Sequence, residues 1–449
     1  MLLPWLCILY LLAFLDRTNI GNAKIAGLPA DTHLVGDQYN ITLTVFFIPY
    51  ALCLEPVTNV LLKKWRPSVF IPTIMILWGA SMTGMGFCHN FGGLATARFF
   101  LGLAECGLFP GVNYYLSCWY KRSEFGVRAA IFFSAAALAG SFGGLLAAGI
   151  EHMDGVGNLE GWRWIFILEG LLTIVFGVIS FWMVYDFPAE ARFLSDEDRN
   201  RVIRRLWADQ QSLADNEDWN MEHVRAALKD WKMWLGMLVY AGCLMPVYAF
   251  SLFLPTIVQG LGITHDPVKA QLLTVPPYAV GAILTVVVGF IADKTQQRGI
   301  WNILISCLGI TGFAMLLGSK NPAVQYVGTF LGAAGIYPCI ANTITWMANN
   351  VEGVYKRGVV LGFVIGWGNL NGIVSSNIYR NAPRFLEGHG IVLAYLVVFL
   401  LGGSVLMTLL LRAENKKRRE GKRNCWAEGK EHDELAALGD QRPDFYYTL

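Results

Sequence analysis

The sequence predicts an all-α membrane protein, built from twelve transmembrane helices in two pseudo-symmetric six-helix bundles. Three observations lead there. Only 15% of the 449 residues are charged while 55% are hydrophobic, against roughly 25% charged in an ordinary soluble domain. The apolar residues gather into runs of spanning length. Lys and Arg crowd into every second connection between those runs. A globular chain of this size would need a charged skin that this composition does not supply. A soluble enzyme, a nucleic-acid binder and a disordered scaffold are therefore excluded.

A spanning helix needs roughly 20 mostly apolar residues. Such stretches, spans 1 to 12 in chain order, fall at 3–26, 41–62, 69–89, 92–116, 127–150, 163–185, 233–256, 270–292, 300–318, 323–348, 358–379 and 391–411. The chain divides into an N-terminal six-helix bundle (1–185), a charged cytoplasmic inter-bundle loop (186–232), a C-terminal six-helix bundle (233–411) and a cytoplasmic tail (412–449). The opening Met1-Leu2-Leu3-Pro4-Trp5 is apolar at once and lacks a basic n-region and an Ala-x-Ala site, so it does not read as a cleaved signal peptide. So abrupt a start is expected of a chain that lacks a cytoplasmic N-terminal extension.

Positive residues mark the cytoplasmic side of a membrane protein. With the N-terminus placed inside, 25 Lys and Arg fall on inner loops, among them Lys63, Lys64 and Arg66 after span 2 and Lys121, Arg122 and Arg128 after span 4, and 6 fall outside. Both termini are expected in the cytoplasm, with the plasma membrane as the location and a monomer as the state. The nine cysteines show no paired spacing and read as small apolar filler. No disulfide, metal site or cofactor is expected.

The two halves echo each other. Phe100-Leu101-Gly102 with Phe109-Pro110, Trp119 and Arg128 is matched by Phe330-Leu331-Gly332 with Tyr337-Pro338, Trp346 and Arg357. Spans 4 and 10 run in the same direction, which makes a parallel repeat about an axis along the membrane normal. Parallel six-span halves joined by a polar loop are how the major facilitator architecture is built. In the loop, Ser195-Asp196-Glu197-Asp198 is a capping-box-like helix start ahead of Arg199 to Trp207. Residues 218–232, from Asp218 to Lys232, read as an amphipathic helix lying on the inner membrane surface, with Met221, Val224, Leu228 and Trp231 on one stripe. The tail reads as a solvated segment. Spans 5 and 11 carry small residues at four-residue spacing, Ala139/Gly143, Gly140/Gly144, Gly362/Gly366 and Gly368/Gly372. Such pairs let helices approach closely in lipid, for static packing or for sliding.

Ionisable groups near a bilayer centre cost about 2.5–3.5 kcal/mol each on insertion scales and usually mark pathways. Asp16, Arg17, Glu55, Arg98 and Glu105 stand out. At about 1.5 Å per residue, Asp16, Arg17 and Arg98 form an upper layer, and Glu55 and Glu105 a lower one. Two arginines face three carboxylates, and Arg does not deprotonate in a protein. The cluster is neutral only when one carboxylate holds a proton. Burial favours the neutral acid, and a nearby Arg favours the carboxylate. A carboxylate whose Arg partner is periodically taken by an anion gains and loses a proton, which is the physics of proton-coupled anion symport. The competing reading makes Asp16–Arg17 and Arg98–Glu105 fixed ion pairs. His89, at an outer helix end, reads as solvated.

The C-terminal half offers Asn342, Trp367, Asn369, Asn371, Tyr240, Tyr248 and Tyr278, suited to recognising a polar or ring-bearing substrate body. Gly366-Trp367-Gly368-Asn369-Leu370-Asn371-Gly372 falls near the midplane of span 11, where paired Asn is expensive unless it faces a cavity. Trp367, Asn369, Asn371 and Tyr248 are therefore expected to line the substrate site. After span 8, Asp293, Lys294 and Arg298 form an acid-then-base inner loop able to lock neighbouring helices in one state. The matching loop after span 2, Lys63-Lys64-Trp65-Arg66-Pro67, lacks the acid.

Phe14-Leu15-Asp16-Arg17-Thr18-Asn19-Ile20-Gly21-Asn22-Ala23-Lys24 resembles the first span of the fungal allantoate permease family, in the anion:cation symporter branch of the major facilitator superfamily. Arg98-Phe99-Phe100-Leu101-Gly102-Leu103-Ala104-Glu105-Cys106-Gly107-Leu108-Phe109-Pro110-Gly111 resembles its span 4 signature. Gly289 to Arg298 is similar to the superfamily loop motif Gly-x-x-x-Asp-(Arg/Lys)-x-x-x-Arg. The resemblance implies proton coupling through Asp16 and Glu105 and anion binding or gating through Arg17 and Arg98. Glu55, at the depth of Glu105, is a further candidate for coupling. Two departures matter: the acid missing after span 2, and a span 5 without the proline of the antiporter motif, which favours symport. The sugar-porter signature after span 6 is absent. The expected function is proton-coupled symport of a small organic anion by alternating access, with the anion, protons and the lipid bilayer as partners. A nutrient receptor on the same scaffold, without net flux, remains the alternative. A membrane-embedded enzyme would need a nucleophile–base or metal-ligand cluster at depth, which the sequence does not offer.

Overall fold

The structure is a computed structural model that describes residues 2–52, 62, 65–120, 122–191, 193–207, 221–264, 266–380, 384–426 and 439–449. Glu55, Lys63, Lys64, Lys121 and Asp218 lie outside the described residues. Among the described residues there is no strand, and all twelve apolar stretches are helical over most of their length. Among the described residues, ten helices are long and apolar enough to cross a membrane. Spans 2 and 4 fall outside that set for different reasons. The helix described for span 2, Gln38–Leu52, has 15 residues. Span 4 is divided into Phe91–Glu105 and Leu108–Ser117. Pro110 offers no N–H to the carbonyl of Cys106, and Gly107 beside it is a poor helix former.

The packing repeats with a shift of six spans. Span 1 packs on span 5, span 2 on 4, and span 3 on both 4 and 6. In the other half span 7 packs on 11, 8 on 10, and 9 on both 10 and 12. This is the pseudo-symmetry expected of two parallel six-helix bundles. The bundles meet where span 5 (Arg122–Ile150) runs antiparallel to span 8 (Pro267–Thr295), where span 2 meets span 11 (Val354–Asn377), and where span 1 meets span 7 (Trp231–Gly260). Three of the small residues of spans 5 and 11 serve these seams. A Cβ at Gly140 would lie 2.6 Å from the Tyr278 ring, one at Gly144 2.7 Å from Thr274 Oγ1, and one at Gly372 2.3 Å from the Phe47 ring. Gly368 instead faces Tyr240, inside the C-terminal bundle.

The end of the molecule that carries the inter-bundle loop and the tail is the tail face; the opposite end is the far face. The loop begins as its sequence suggests. Ser195 Oγ accepts from the Asp198 amide at 3.2 Å and donates to its carboxylate at 2.9 Å, opening the helix Asp196–Trp207. The second helix, Met221–Lys229, is shorter than its stripe suggests. Asp230 accepts from the Lys232 amide at 3.0 Å and caps the start of span 7. A capping Asp competes with helix continuation, so Trp231 belongs to span 7.

The tail corrects the expectation of a solvated segment. Span 12 continues as helix to Arg419, and residues 439–449 fold back onto the C-terminal bundle. Asp440 pairs with Lys232 and, at 2.7 Å, with Lys356. Arg442 pairs with Glu352 at 3.0 Å. Trp346 Nε1 and Asn350 Nδ2 both donate to the Thr448 carbonyl at 3.0 Å. Asn415 exchanges two hydrogen bonds with the Tyr447 backbone, and the Arg298 amide donates to the Leu449 carbonyl. One short strap thus touches spans 7, 9, 10, 11 and 12.

Candidate functional site

The central feature is a buried ion pair between spans 1 and 4. Arg17 Nη2 lies 2.5 Å from Glu105 Oε1, and Arg17 Nε donates to the same oxygen at 3.1 Å. The two layers expected from depth alone are therefore not separate, for a reason of side-chain direction. Helical side chains lean toward the N-terminus of their own helix. Spans 1 and 4 are antiparallel, so Arg17 and Glu105 lean toward each other across the gap. Neither of the fixed pairs weighed from sequence is formed. Asp16 and Arg17 are neighbours, about 100° apart around the helix, and serve different sides. Arg98 is two turns from Glu105 on one helix, too far for a direct pair.

Asp16 faces the interior of the N-terminal bundle. Its Oδ2 accepts from Trp78 Nε1 of span 3 at 3.0 Å and from Thr173 Oγ1 of span 6 at 2.8 Å; its Oδ1 has no partner. Arg98 is buried, with one nitrogen donating to the Arg17 carbonyl at 3.2 Å, while its Nε and Nη2 have no partner. Glu105 Oε2 is likewise unpartnered. An Arg with spare donors lies beside the carbonyl of an Arg whose charge is already matched. That arrangement has donor capacity for an anion.

Arg17 also links the two bundles. It donates to Tyr50 Oη at 2.8 Å and to Tyr248 Oη, in span 7, at 3.0 Å; Tyr248 in turn donates to Asn369 Oδ1 of span 11 at 2.8 Å. The rings of Phe14, Phe46, Tyr50 and Tyr248 stand 4.5–5.6 Å from the guanidinium carbon. The structure thus gathers Arg17, Arg98, Glu105, Tyr248 and Asn369, five of the residues picked out from sequence. Two others stand apart. Asn371 donates to the Trp367 carbonyl and accepts from Tyr395 of span 12 at 3.1 Å, and Trp367 is exposed. They sit one turn apart on the side of span 11 turned toward span 12. Alternate Asn residues in a helix point about 200° apart, so both could not face one cavity.

Asp293 pairs with Arg298 at the tail face. Arg298 also donates to Asn342 Oδ1 at 3.1 Å, and Asn342 returns a bond to the Arg298 carbonyl at 2.8 Å. A Cβ on Gly126, at the start of span 5, would lie 2.4 Å from Asp293 Oδ1. The pair is therefore wedged between bundles, where a missing side chain makes room for it. Lys294 is exposed and takes no part.

Sequence reasoning passed over Tyr50, Trp78, Thr173 and Glu169. Glu169 carried the same signal as Glu105, a single acid inside an apolar span. It is 2% exposed, and neither carboxylate oxygen has a hydrogen-bond partner.

Two buried guanidiniums, spare donors, aromatic rings and a buried acid thus gather where spans 1, 2 and 4 meet spans 7 and 11 of the other bundle. Residues 6–376 match the family description Major Facilitator Superfamily. An uncharacterized transporter of Schizosaccharomyces pombe is 38% identical over 93% of this chain and 83% of its own. A high-affinity nicotinic acid transporter of Saccharomyces cerevisiae is 33% identical over 99% of this chain and 83% of its own. The fold is similar to that of a bacterial homolog of the human lysosomal transporter Spinster, inward-facing and occupied, with a TM-score of 0.64, 16% identity and coverage of 91% and 96% of the two chains. The packing, the family match and relatives aligned over nearly the whole length agree: the chain belongs to the Major Facilitator Superfamily and is a multi-pass membrane transporter, not an enzyme.

Proposed function

We propose that the chain is a proton-coupled symporter of a small organic anion, of the anion:cation branch that its allantoate-permease-like first and fourth spans suggest. The observation that carries this reading is the Arg17–Glu105 pair, in which one carboxylate occupies the guanidinium that an anionic substrate needs. An entering anion draws Arg17 and Arg98 to itself, and the displaced Glu105 carboxylate, buried, takes a proton. Release of the anion on the other side returns Arg17 to Glu105 and expels the proton. Arg98 supplies the spare donors, and Tyr248 and Asn369 report the event to the other bundle. Asp16 accepts a proton in the same cycle, and Asp293 with Arg298 latches the tail face.

The four rings around Arg17 favour a flat carboxylate. The similarity to a nicotinic acid transporter supports the same class, as vitamin-like or ureide-like nutrients. The Lys and Arg distribution supports a cytoplasmic tail face with both termini inside, and a nutrient role fits the plasma membrane and a monomer. The working units are the bundles 1–185 and 233–411, joined by the loop 186–232.

Reconstitution into proteoliposomes with an imposed inward proton gradient tests the reading. Labelled nicotinate, or another small carboxylate from a panel, should accumulate, and a protonophore should abolish accumulation. Full accumulation with the protonophore present and no other ion gradient would sink the proposal.

A further inference from the structure

We infer that Glu169 and Asp16 form a second proton-binding site inside the N-terminal bundle, apart from the anion's guanidinium, and that a proton entering from the far face reaches Asp16 through Glu169.

Glu169 lies on span 6 (Gly161–Met183). Thr173, one turn further along the same face, donates to Asp16, which places Glu169 one turn toward the far face from that contact. Span 6 begins at the far face, so Glu169 is roughly 12 Å in at 1.5 Å per residue. It stands between the far end of the bundle and Asp16. Asp16 keeps one oxygen without a partner and Glu169 keeps two.

Among the described residues no cation pairs with Glu169; Arg98, whose charge reaches Asp16, donates to the Arg17 carbonyl. Asp16 is the group with which it interacts electrostatically. Span 3, the helix most closely packed on span 6, has no charged residue in Pro67–Met85. Arg17 is turned to Glu105. Lys24, on the short helix Ile20–Ile25 that ends span 1, sits over the rings of Tyr39 and Phe253. Arg163, two turns up span 6, is held by Glu160, His89 and the carbonyls of Gly86 and Cys88. Glu151 and His152 lie at the end of span 5, where Glu151 faces Gln271. An ionised carboxylate buried without a partner is too costly to persist. Two neighbouring buried acids lower that cost by sharing one proton, as coupled carboxylates do. The transfer balances simply: the proton leaves a Glu169 oxygen for Asp16 Oδ1, and the negative charge passes to Glu169.

This inference rests on the proton-coupled reading for its role, but the site is testable without it. Infrared difference spectra between alkaline and neutral pH on purified protein read protonated carboxyl groups directly. The wild type should show that carbonyl absorption at neutral pH, and Glu169→Gln should lose it. In proteoliposomes, Glu169→Gln should lose proton-driven accumulation and keep counterflow exchange of labelled for unlabelled substrate. Glu169→Asp keeps the acid and should accumulate with a displaced pH profile. If Glu169→Gln does not fold, the comparison of Glu169→Asp with wild type decides: a displaced profile supports the site, and an identical one overturns it. An unchanged carboxyl absorption in Glu169→Gln overturns it whatever transport does, as does full accumulation by that variant. A wild type that ignores the proton gradient would end the symport reading while leaving the infrared result to judge the site.

Discussion

The two bundles share a packing plan and divide their charges in opposite ways. The N-terminal bundle buries Asp16, Arg17, Arg98, Glu105 and Glu169 inside its spans. At the same level the C-terminal bundle presents Tyr248, Asn369, Ser251 and Tyr337, and Asp, Glu, Lys and Arg among its described residues gather toward the helix ends. Its charges build a dense tail-face network instead, from Asp293–Arg298 to Lys232, Lys356 and Asp440. Burying charge in lipid is costly, so the molecule concentrates that cost in one half. The other half contributes neutral hydrogen-bonding groups and an ion-paired tail-face end. One bundle holds the buried charges, and its partner touches them through the Arg17–Tyr248–Asn369 chain.

Substitutions can break this division of labour, and the largest effect belongs to the charged half. Arg17→Ala leaves Glu105 buried without its cation, and removing one partner of a buried pair costs about 3–5 kcal/mol. Thermal unfolding should show that loss, and substrate binding should vanish. Wild-type affinity in folded Arg17→Ala would remove the anion site from the N-terminal bundle. Next comes the seam between halves. Gly126→Ala pushes a methyl group against Asp293 and Arg298, an overpacking worth about 1–3 kcal/mol. It should weaken the latch, so that reagents from the tail-face side label residues lining span 5 faster. Unchanged labelling would show that the latch does not hold the bundles together.

In the neutral half, Asn369→Ala removes one hydrogen bond to Tyr248, worth about 1 kcal/mol. Substrate affinity should weaken several-fold with coupling intact. A loss as large as that of Arg17→Ala would mean that the halves do not differ in kind. The smallest effect concerns the strap. Burial opposes ionisation of Asp440, but Lys232 and Lys356 outweigh it and hold its carboxyl below the ordinary range. A lowered value in the docked state means that docking gains from Asp440 above the ordinary carboxylate range and loses that gain as pH falls through the lowered value. Amide exchange of Tyr447 and Thr448, corrected for intrinsic rate, should stay slow at neutral pH and quicken in acid. Asp440→Asn should quicken it already at neutral pH.

Much of this contrast was legible in the sequence. A charge inside an apolar run is conspicuous, which is why Asp16, Arg17, Arg98 and Glu105 could be named without coordinates. Their pairing was not legible, because it follows from the lean and rotation of side chains on antiparallel helices. Depth alone put Arg17 and Glu105 in separate layers, although the guanidinium reaches across. Glu169 carried the same signal, a lone acid inside an apolar span, and was passed over. Asn369 and Asn371 looked like a pair, but helix rotation sends one to Tyr248 and the other to Tyr395. The strap was hidden most deeply. Residues 439–449 show no periodicity, and their docking depends on partners from 22 to 215 residues away.

The closure of Arg17 on Glu105 also has an electrical consequence. Moving one elementary charge through a membrane potential involves about 2.3 kcal/mol per 100 mV. A bare guanidinium at mid-depth would feel that force whenever the bundles rocked. Matched to Glu105, it presents a dipole without net charge. Under the proposed symport cycle, the empty carrier should reset at a rate that voltage barely touches, and any voltage dependence should fall on the step in which the anion and its protons cross together.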